Sequence, residues 1–355
     1  PPATSRQGKL VHIVLIRCIH KPIAIFFLSI QFLSLHQQKK DIMEIHILFW
    51  LIFAALFVAV FILDMVYTSH HHGKINVKAA LMWSVIWIAA GFSFGILIFF
   101  FFPDGHTKSF EYIASYLVEK SLSVDNLFVF LLIFSTMGIP EKHQPRILKW
   151  GIIGAVVLRI VFILAGVELI KSFSFMIYVF GAILVYTAIK MITSKNEEIH
   201  PDDNFFVKIT KKLFPVKTDA DTDHFFVKHN NKRYATIAFI TLVLIESTDL
   251  IFAVDSVPAV LAITHDPFIA ITSNLFAILG LRSLFFALSG ILGLFRFLKY
   301  GISLILFFIG VKMLLSNLIH IPVQVSLIVI VGVLIISVFA SIVIKEADDK
   351  KVKKK

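Results

Sequence analysis

From about residue 45 to residue 344 the chain alternates long apolar runs with short polar breaks. The runs have the length a helix needs to cross a hydrocarbon layer. Nine spans are predicted: Ile45–Tyr67, Val77–Phe102, Phe110–Met137, Leu148–Ile170, Phe173–Ile192, Ala235–Thr264, Pro267–Phe295, Tyr300–Ile319 and Pro322–Ile344. Helix is the expected conformation throughout, because lipid offers a bare backbone no hydrogen-bond partner. The predicted fold is therefore an all-α polytopic membrane protein of about nine transmembrane helices. Residues 1–42 break the pattern: the apolar stretch Ile23 to Leu35 is short for a span and is mixed with Arg17, His20 and Lys21. They are expected to be a non-native or disordered extension, with Met43 the natural start.

The order of certain residues repeats. Glu119, Asp125, Arg159, Tyr178 and Lys190 are matched in sequence by Asp249, Asp255, Arg282, Tyr300 and Lys312. Each repeat holds three spans, and an odd-numbered unit repeated in tandem must sit inverted in the membrane. This divides the chain into the extension 1–42, two leading helices in 43–109, repeat 1 in 110–193, a loop in 194–234, repeat 2 in 235–319, and a last helix with a basic tail in 320–355. Lys and Arg gather in alternate loops: Lys74 and Lys78, then Lys142, Arg146 and Lys149, the lysine-rich 194–234 loop, Arg296 and Lys299, and the tail to Lys355. That asymmetry predicts an outside N-terminus and a cytoplasmic C-terminus. The long loop, which also holds Glu197, Glu198, Asp202, Asp203, Asp219, Asp221 and Asp223, is expected to be a solvated cytoplasmic segment.

Composition agrees with this class. Of 355 residues, 58% are hydrophobic and 16% charged, with 37 phenylalanines, and no soluble domain hides that much apolar surface. The net charge of +11 lies in the loops and tail, so it reports topology and not nucleic-acid binding. A single cysteine, Cys18, excludes an internal disulfide framework.

The anomaly is the acids. Glu119, Asp125, Glu246, Asp249 and Asp255 all fall within predicted spans, where a carboxylate costs about 2.5–3.5 kcal/mol on insertion scales. Asn126 and Ser256 follow the two matched aspartates. With the hydroxyls of Ser121, Ser123 and Thr248 and the amide of Asn274, these residues form an all-oxygen donor set, suited to Mg, Ca or Mn rather than Cu or Zn. The alternative is that the groups are interhelical hydrogen-bonding glue or protonated acids. Residues six apart point about 120° away from each other on a helix. For Asp249 and Asp255 to serve one ion, their helix must break, and Pro258 marks the expected place. Arg159 and Arg282 either balance or gate the acids, or snorkel to the interface. Asp64 reads as a first ligand on the way in or as an interfacial residue, and His70-His71-His72 as a solvated loop. Asp219-Ala-Asp221-Thr-Asp223 opens like a calcium-binding loop but places His224 where glycine is needed. No phosphate-binding loop, nucleophile elbow or zinc-protease helix occurs, so no enzyme activity and no resident cofactor is expected.

Tyr116-Leu-Val-Glu-Lys-Ser-Leu-Ser-Val-Asp-Asn-Leu-Phe-Val-Phe130 and Asp249-Leu-Ile-Phe-Ala-Val-Asp-Ser-Val-Pro-Ala259 resemble the two signature segments of the TerC/Alx family of integral membrane proteins. Trp150 to Arg159 and Ser273 to Ser283 are similar to it as well, and the resemblance spans Met43 to Leu315. It implies kinship with LysE-type transporters. It also implies an ion site at Glu119, Asp125, Asn126, Glu246, Asp249, Asp255 and Ser256, and a link to manganese export and tellurite resistance. The function expected is export of a hard divalent cation, Mn2+ first, across a bacterial inner membrane, with proton exchange as the natural driving force. A non-transporting scaffold in a stress-resistance complex is the alternative. The partners expected are lipid and the cation, with no nucleic acid; the oligomeric state is left open.

Overall fold

The computed structural model describes residues 47–63, 77–193, 204–217, 224–229, 232–289, 297–319 and 321–352. The extension 1–42 with Met43, Asp64, His70–His72 and the Asp219–Asp223 acids lie outside the described residues. The chain divides into two compact units, Pro1–Ala54 and Ala55–Lys355. A short apolar helix, α1, covers Ile47–Leu63. There follow α2 (Val77–Phe101), α3 (Gly105–Thr136), α4 (Gln144–Ser172), α5 (Met176–Thr193) and α6 (Phe205–Leu213). After three strands come α7 (Ile237–Leu261), α8 (Pro267–Ile278), α9 (Leu281–Ser289), α10 (Leu298–Leu314) and α11 (Val323–Val352).

Among the described residues, six stretches are long and apolar enough to cross a membrane: α2, α4, α5, α7, α8 continued through α9, and Val323–Ser341 of α11. Helix α3 is longer than any of these, but Lys108, Glu111, Glu119, Lys120 and Asp125 interrupt its hydrophobicity. Helix α10 has 17 residues. The chain is a helical, multi-pass integral membrane protein.

Helix starts follow local chemistry. Thr236 caps α7 by accepting from the Phe239 amide at 3.3 Å, and Asp266 caps α8 by accepting from Phe268 at 2.9 Å, with Pro267 in the first turn. Helices then meet through small residues, the usual device where lipid removes a hydrophobic drive for association. Gly91 and Gly95 of α2 admit Tyr116 and Tyr112 of α3, and the Tyr112 hydroxyl donates to the Gly91 carbonyl at 3.1 Å. Gly181 of α5 and Gly310 of α10 bring two backbones into contact, and Ser303 donates to the Ala188 carbonyl at 2.5 Å. Partners 181–310 and 188–303 have falling numbers against rising ones, so α5 and α10 cross antiparallel. On α4, Gly151 faces Ile245 and Gly166 faces Leu261, so α4 and α7 run parallel.

The fold is the expected all-α membrane protein with one addition: Val216–Lys217 (β1), Phe226–His229 (β2) and Lys232–Thr236 (β3) form a small sheet of order β1-β3-β2, and β3 runs directly into α7. The loop expected to be a solvated segment contains α6 and this sheet, with Val207 and Thr210 buried and Phe205, Phe206 and Phe226 left exposed. A correction concerns the break. Helices α3 and α7 are continuous past both acidic pairs. Pro258 has no N–H to donate to the Val254 carbonyl, yet the helix runs on through it to Leu261, and its own carbonyl accepts from Ala262 at 2.9 Å.

The predicted seventh span is the one that breaks. Helix α8 stops at Ile278, Gly280 takes φ +75°, and α9 starts at Leu281. Glycine is required there twice over: the backbone is left-handed, and the Trp87 ring of α2 occupies the space a Cβ would need. The carbonyls freed by the break are taken by Lys120 of α3, whose ammonium donates to Ala277 and Leu279, both at 3.0 Å.

Candidate functional site

At mid-bundle, four helices each contribute one polar side chain to a common network. Glu119 of α3 is fully buried, at 0% exposure, and pairs with Arg159 of α4, itself 2% exposed. The other arm of the same guanidinium lies 3.6 Å from Asp249 of α7. Asn274 of α8 donates to the second oxygen of Glu119 at 2.9 Å. One guanidinium thus stands between two buried carboxyl groups, so that each side chain offsets the cost of burying the others.

Beside this network is a cavity of about 20 Å3, room for about one water or a bare ion. Its polar lining is Ser123 and Asn126 of α3, Arg159 and Asp249, and Ile278 and Leu281 close it from either side of the broken helix. The Ser123 hydroxyl and one Asp249 oxygen have no partner, and neither does the Asn274 amide oxygen. Irregular backbone within a membrane is tolerated where it is buried in protein, and Ile278 to Arg282, across the α8–α9 break, are buried.

The other expected residues are elsewhere. Because α3 and α7 are unbroken, Asp125 and Asp255 lie six residues, about 9 Å, beyond Glu119 and Asp249 and on another face. Helix α3 turns back into α4 through a short connection, and α4 runs parallel to α7, so α3 and α7 run oppositely. Asp125 and Asp255 therefore lie on opposite sides of the central pair. The acids occupy three levels, not one point. Asp255 is half-buried and accepts from Thr187 of α5 at 2.7 Å, within the field of Lys190. Asp125 is half-buried and feels the charge of Lys299. Ser256 is buried with its hydroxyl unpartnered. Glu246 is half-buried and rests on Gly154 of α4, where any side chain would displace its carboxyl. Arg282 is buried two residues past Gly280, next to the break. Among the described residues, no three Asp, Glu, His or Cys side chains converge closely enough to hold a metal.

Of the candidate hydroxyl ligands, Ser121 and Thr248 donate to their own helices, to Leu117 at 2.6 Å and Leu244 at 2.7 Å. Sequence reasoning missed Thr187, Lys120 and Gly280. Lys120 had a signal, being a lysine inside an apolar run beside Glu119. Thr187 had none, since a lone threonine in a span is ordinary.

The family described as integral membrane protein TerC matches residues 104–349. The chain is 41% identical over 294 residues to STKORF319, an uncharacterized membrane protein of Myxococcus xanthus, covering 83% of this chain and 92% of the relative. It is 38% identical over 313 residues to a protein of Salmonella typhi named putative membrane-bound redox modulator Alx, covering 86% and 97%. The protein of that name in Escherichia coli strain K12 is 40% identical over 281 residues, covering 78% and 88%. No solved structure matches the chain.

Proposed function

The chain belongs to the TerC family of integral membrane proteins, and on that premise we propose that it is a secondary transporter exporting a hard divalent cation, Mn2+ first. The spans in this reading are α1 to α5, α7, α8 with α9, α10 and α11, nine in all, and the membrane is the bacterial inner membrane with the C-terminus cytoplasmic. Two inverted repeats, α3–α5 and α7–α10, supply the two halves. Supporting this, exchange of the repeats maps the Gly181–Gly310 contact onto the Ala188–Ser303 contact.

One observation carries the reading: unpartnered oxygens of Ser123 and Asp249 border an ion-sized cavity beside a buried acid pair neutralised by Arg159. A divalent cation binding between Glu119 and Asp249 would replace the charge Arg159 supplies, so the guanidinium would swing aside and return after release. Net buried charge then stays small in both states. Asp255 with Thr187 on one side and Asp125 on the other provide staging carboxylates about 9 Å from the centre. Protons taken up by the same acids on return would complete an exchange cycle.

The test is uptake of Mn2+, Ca2+ and Mg2+ into liposomes holding the purified protein, with and without a pH gradient. Wild type should move Mn2+, and Asp125→Asn with Asp255→Asn should abolish movement while the protein stays folded in the membrane. Wild-type rates in the double variant would refute the assignment.

A second reading is favoured by the same network: Glu119, Arg159, Asp249 and Asn274 tie four helices together, as a non-transporting scaffold of a stress (tellurite) resistance complex would need. It predicts no ion movement by wild type and loss of protein abundance in the variants. The relatives' name invokes redox modulation, but one cysteine per chain gives no internal dithiol to carry thiol exchange.

A further inference from the structure

Helix α6 has three distinct faces, and the cation reading uses none of them. Val207 and Thr210 are buried, and the capping residue Asn204 donates to Ser247 of α7 at 2.8 Å. A second face, Phe205, Phe206, Ile209 and Leu213, is apolar and exposed, with Phe205 and Leu213 at 67% and 68%. The third carries Lys208, Lys211 and Lys212, all exposed. The apolar surface continues through Phe214 and Phe226, whose rings meet at 5.5 Å and both pack on Phe239 of α7.

Depth follows from the helix it leans on. Ser247 lies ten residues, about 15 Å, into α7. Helix α6 therefore starts beside the middle of α7 and returns toward its beginning, reaching Phe239 after nine residues of its own. At that end Phe225 packs edge-on to Trp150, and Arg146 lies 5.8 Å over its ring, residue types that favour the headgroup layer. An apolar helix face held at that depth lies in the acyl chains of one leaflet. The lysine stems reach back toward the surface. Residues 204–236 carry Lys208, Lys211, Lys212, Lys217, Lys228, Lys232 and Arg233 against Asp219, Asp221 and Asp223, and the three lysines of α6 form a basic face complementary to anionic headgroups.

We propose that α6 and its sheet form a half-inserted anchor that binds anionic lipid in the leaflet at the end of the bundle where α4 and α7 begin. The occupant of the exposed Phe–Ile–Leu face is lipid rather than protein.

The full chain carrying Cys18→Ser, with Phe206→Cys, Ile209→Cys or Lys211→Cys added singly, is nitroxide-labelled in liposomes of mixed phosphatidylcholine and phosphatidylglycerol. Labels at 206 and 209 should collide with oxygen and not with a water-soluble nickel chelate, and the label at 211 should do the reverse. Nickel access at 206 and 209 overturns the proposal, and so does shielding from both reagents, which would mean a second copy or another segment of this chain covers the face. Spin-labelled phosphatidylglycerol should associate in preference to phosphatidylcholine. Lys208→Gln, Lys211→Gln and Lys212→Gln together should reduce that preference, by up to about five-fold per lysine. An unchanged preference overturns the lipid assignment of the basic face.

Discussion

Removing Arg159 is the sharpest perturbation of the central network. Its Nη2 lies 3.6 Å from Asp249 and its Nη1 pairs with Glu119. At an effective dielectric near 20 the 3.6 Å contact alone is worth about 4–5 kcal/mol of attraction. Burying the three charges cancels much of that gain, so the intact triad contributes little net stability. Breaking it is different, because Arg159→Met leaves two buried carboxylates facing each other without a cation. The expected loss is about 3–5 kcal/mol. Glu119→Gln, Arg159→Met and Asp249→Asn combined remove all three charges and should restore stability to within about 1–2 kcal/mol of wild type, or exceed it. Equilibrium unfolding in mixed micelles of increasing SDS content, followed by tryptophan fluorescence, measures both. If Arg159→Met stays within about 1 kcal/mol of wild type, or the triple variant is no more stable than the single, the network is not the coupled unit described.

Other substitutions test the break and the helix contacts. Gly280→Ala should lower stability by at least about 2 kcal/mol, combining a left-handed backbone with overlap on Trp87; adding Trp87→Ala should relieve only the overlap, as read by SDS unfolding. Lys120→Met strips the Ala277 and Leu279 carbonyls of their donor and should cost about 2–3 kcal/mol, with faster amide exchange across 277–284 by mass spectrometry. Gly154→Ala should displace Glu246 and cost about 1–3 kcal/mol, whereas Gly332→Ala, with nothing within 4 Å of the added methyl, should be neutral or stabilising in the same assay.

The acids were legible because a carboxylate in an apolar run needs a reason wherever the helix turns out to lie. Their pairing in two copies gave away which helices face each other, and Arg159 stood out on the same ground. Their distribution over three levels was not legible, since it depends on whether the helix bends between residues six apart. Proline suggested that α7 would break, but the helix runs through Pro258 to Leu261. The actual break needed three facts from distant parts of the chain: glycine at 280, Trp87 filling its open side, and Lys120 receiving the freed carbonyls. Helix α6 was hidden for a simpler reason. Its lysines and the neighbouring aspartates outweigh two short phenylalanine clusters in any reading of composition.

In the proposed cation exporter, the small size of the central cavity bears on which ion could be handled. With room for about one water molecule, a hexahydrated cation could not occupy it, and protein oxygens would have to replace nearly the whole inner hydration sphere. Mg2+ surrenders its waters far more reluctantly than larger divalent ions and demands near-ideal octahedral geometry in return. Ser123, Asn126, Asp249 and the flank of a broken helix are not an octahedron. Discrimination against the abundant Mg2+ would then arise from dehydration, before any difference in ligand affinity is felt.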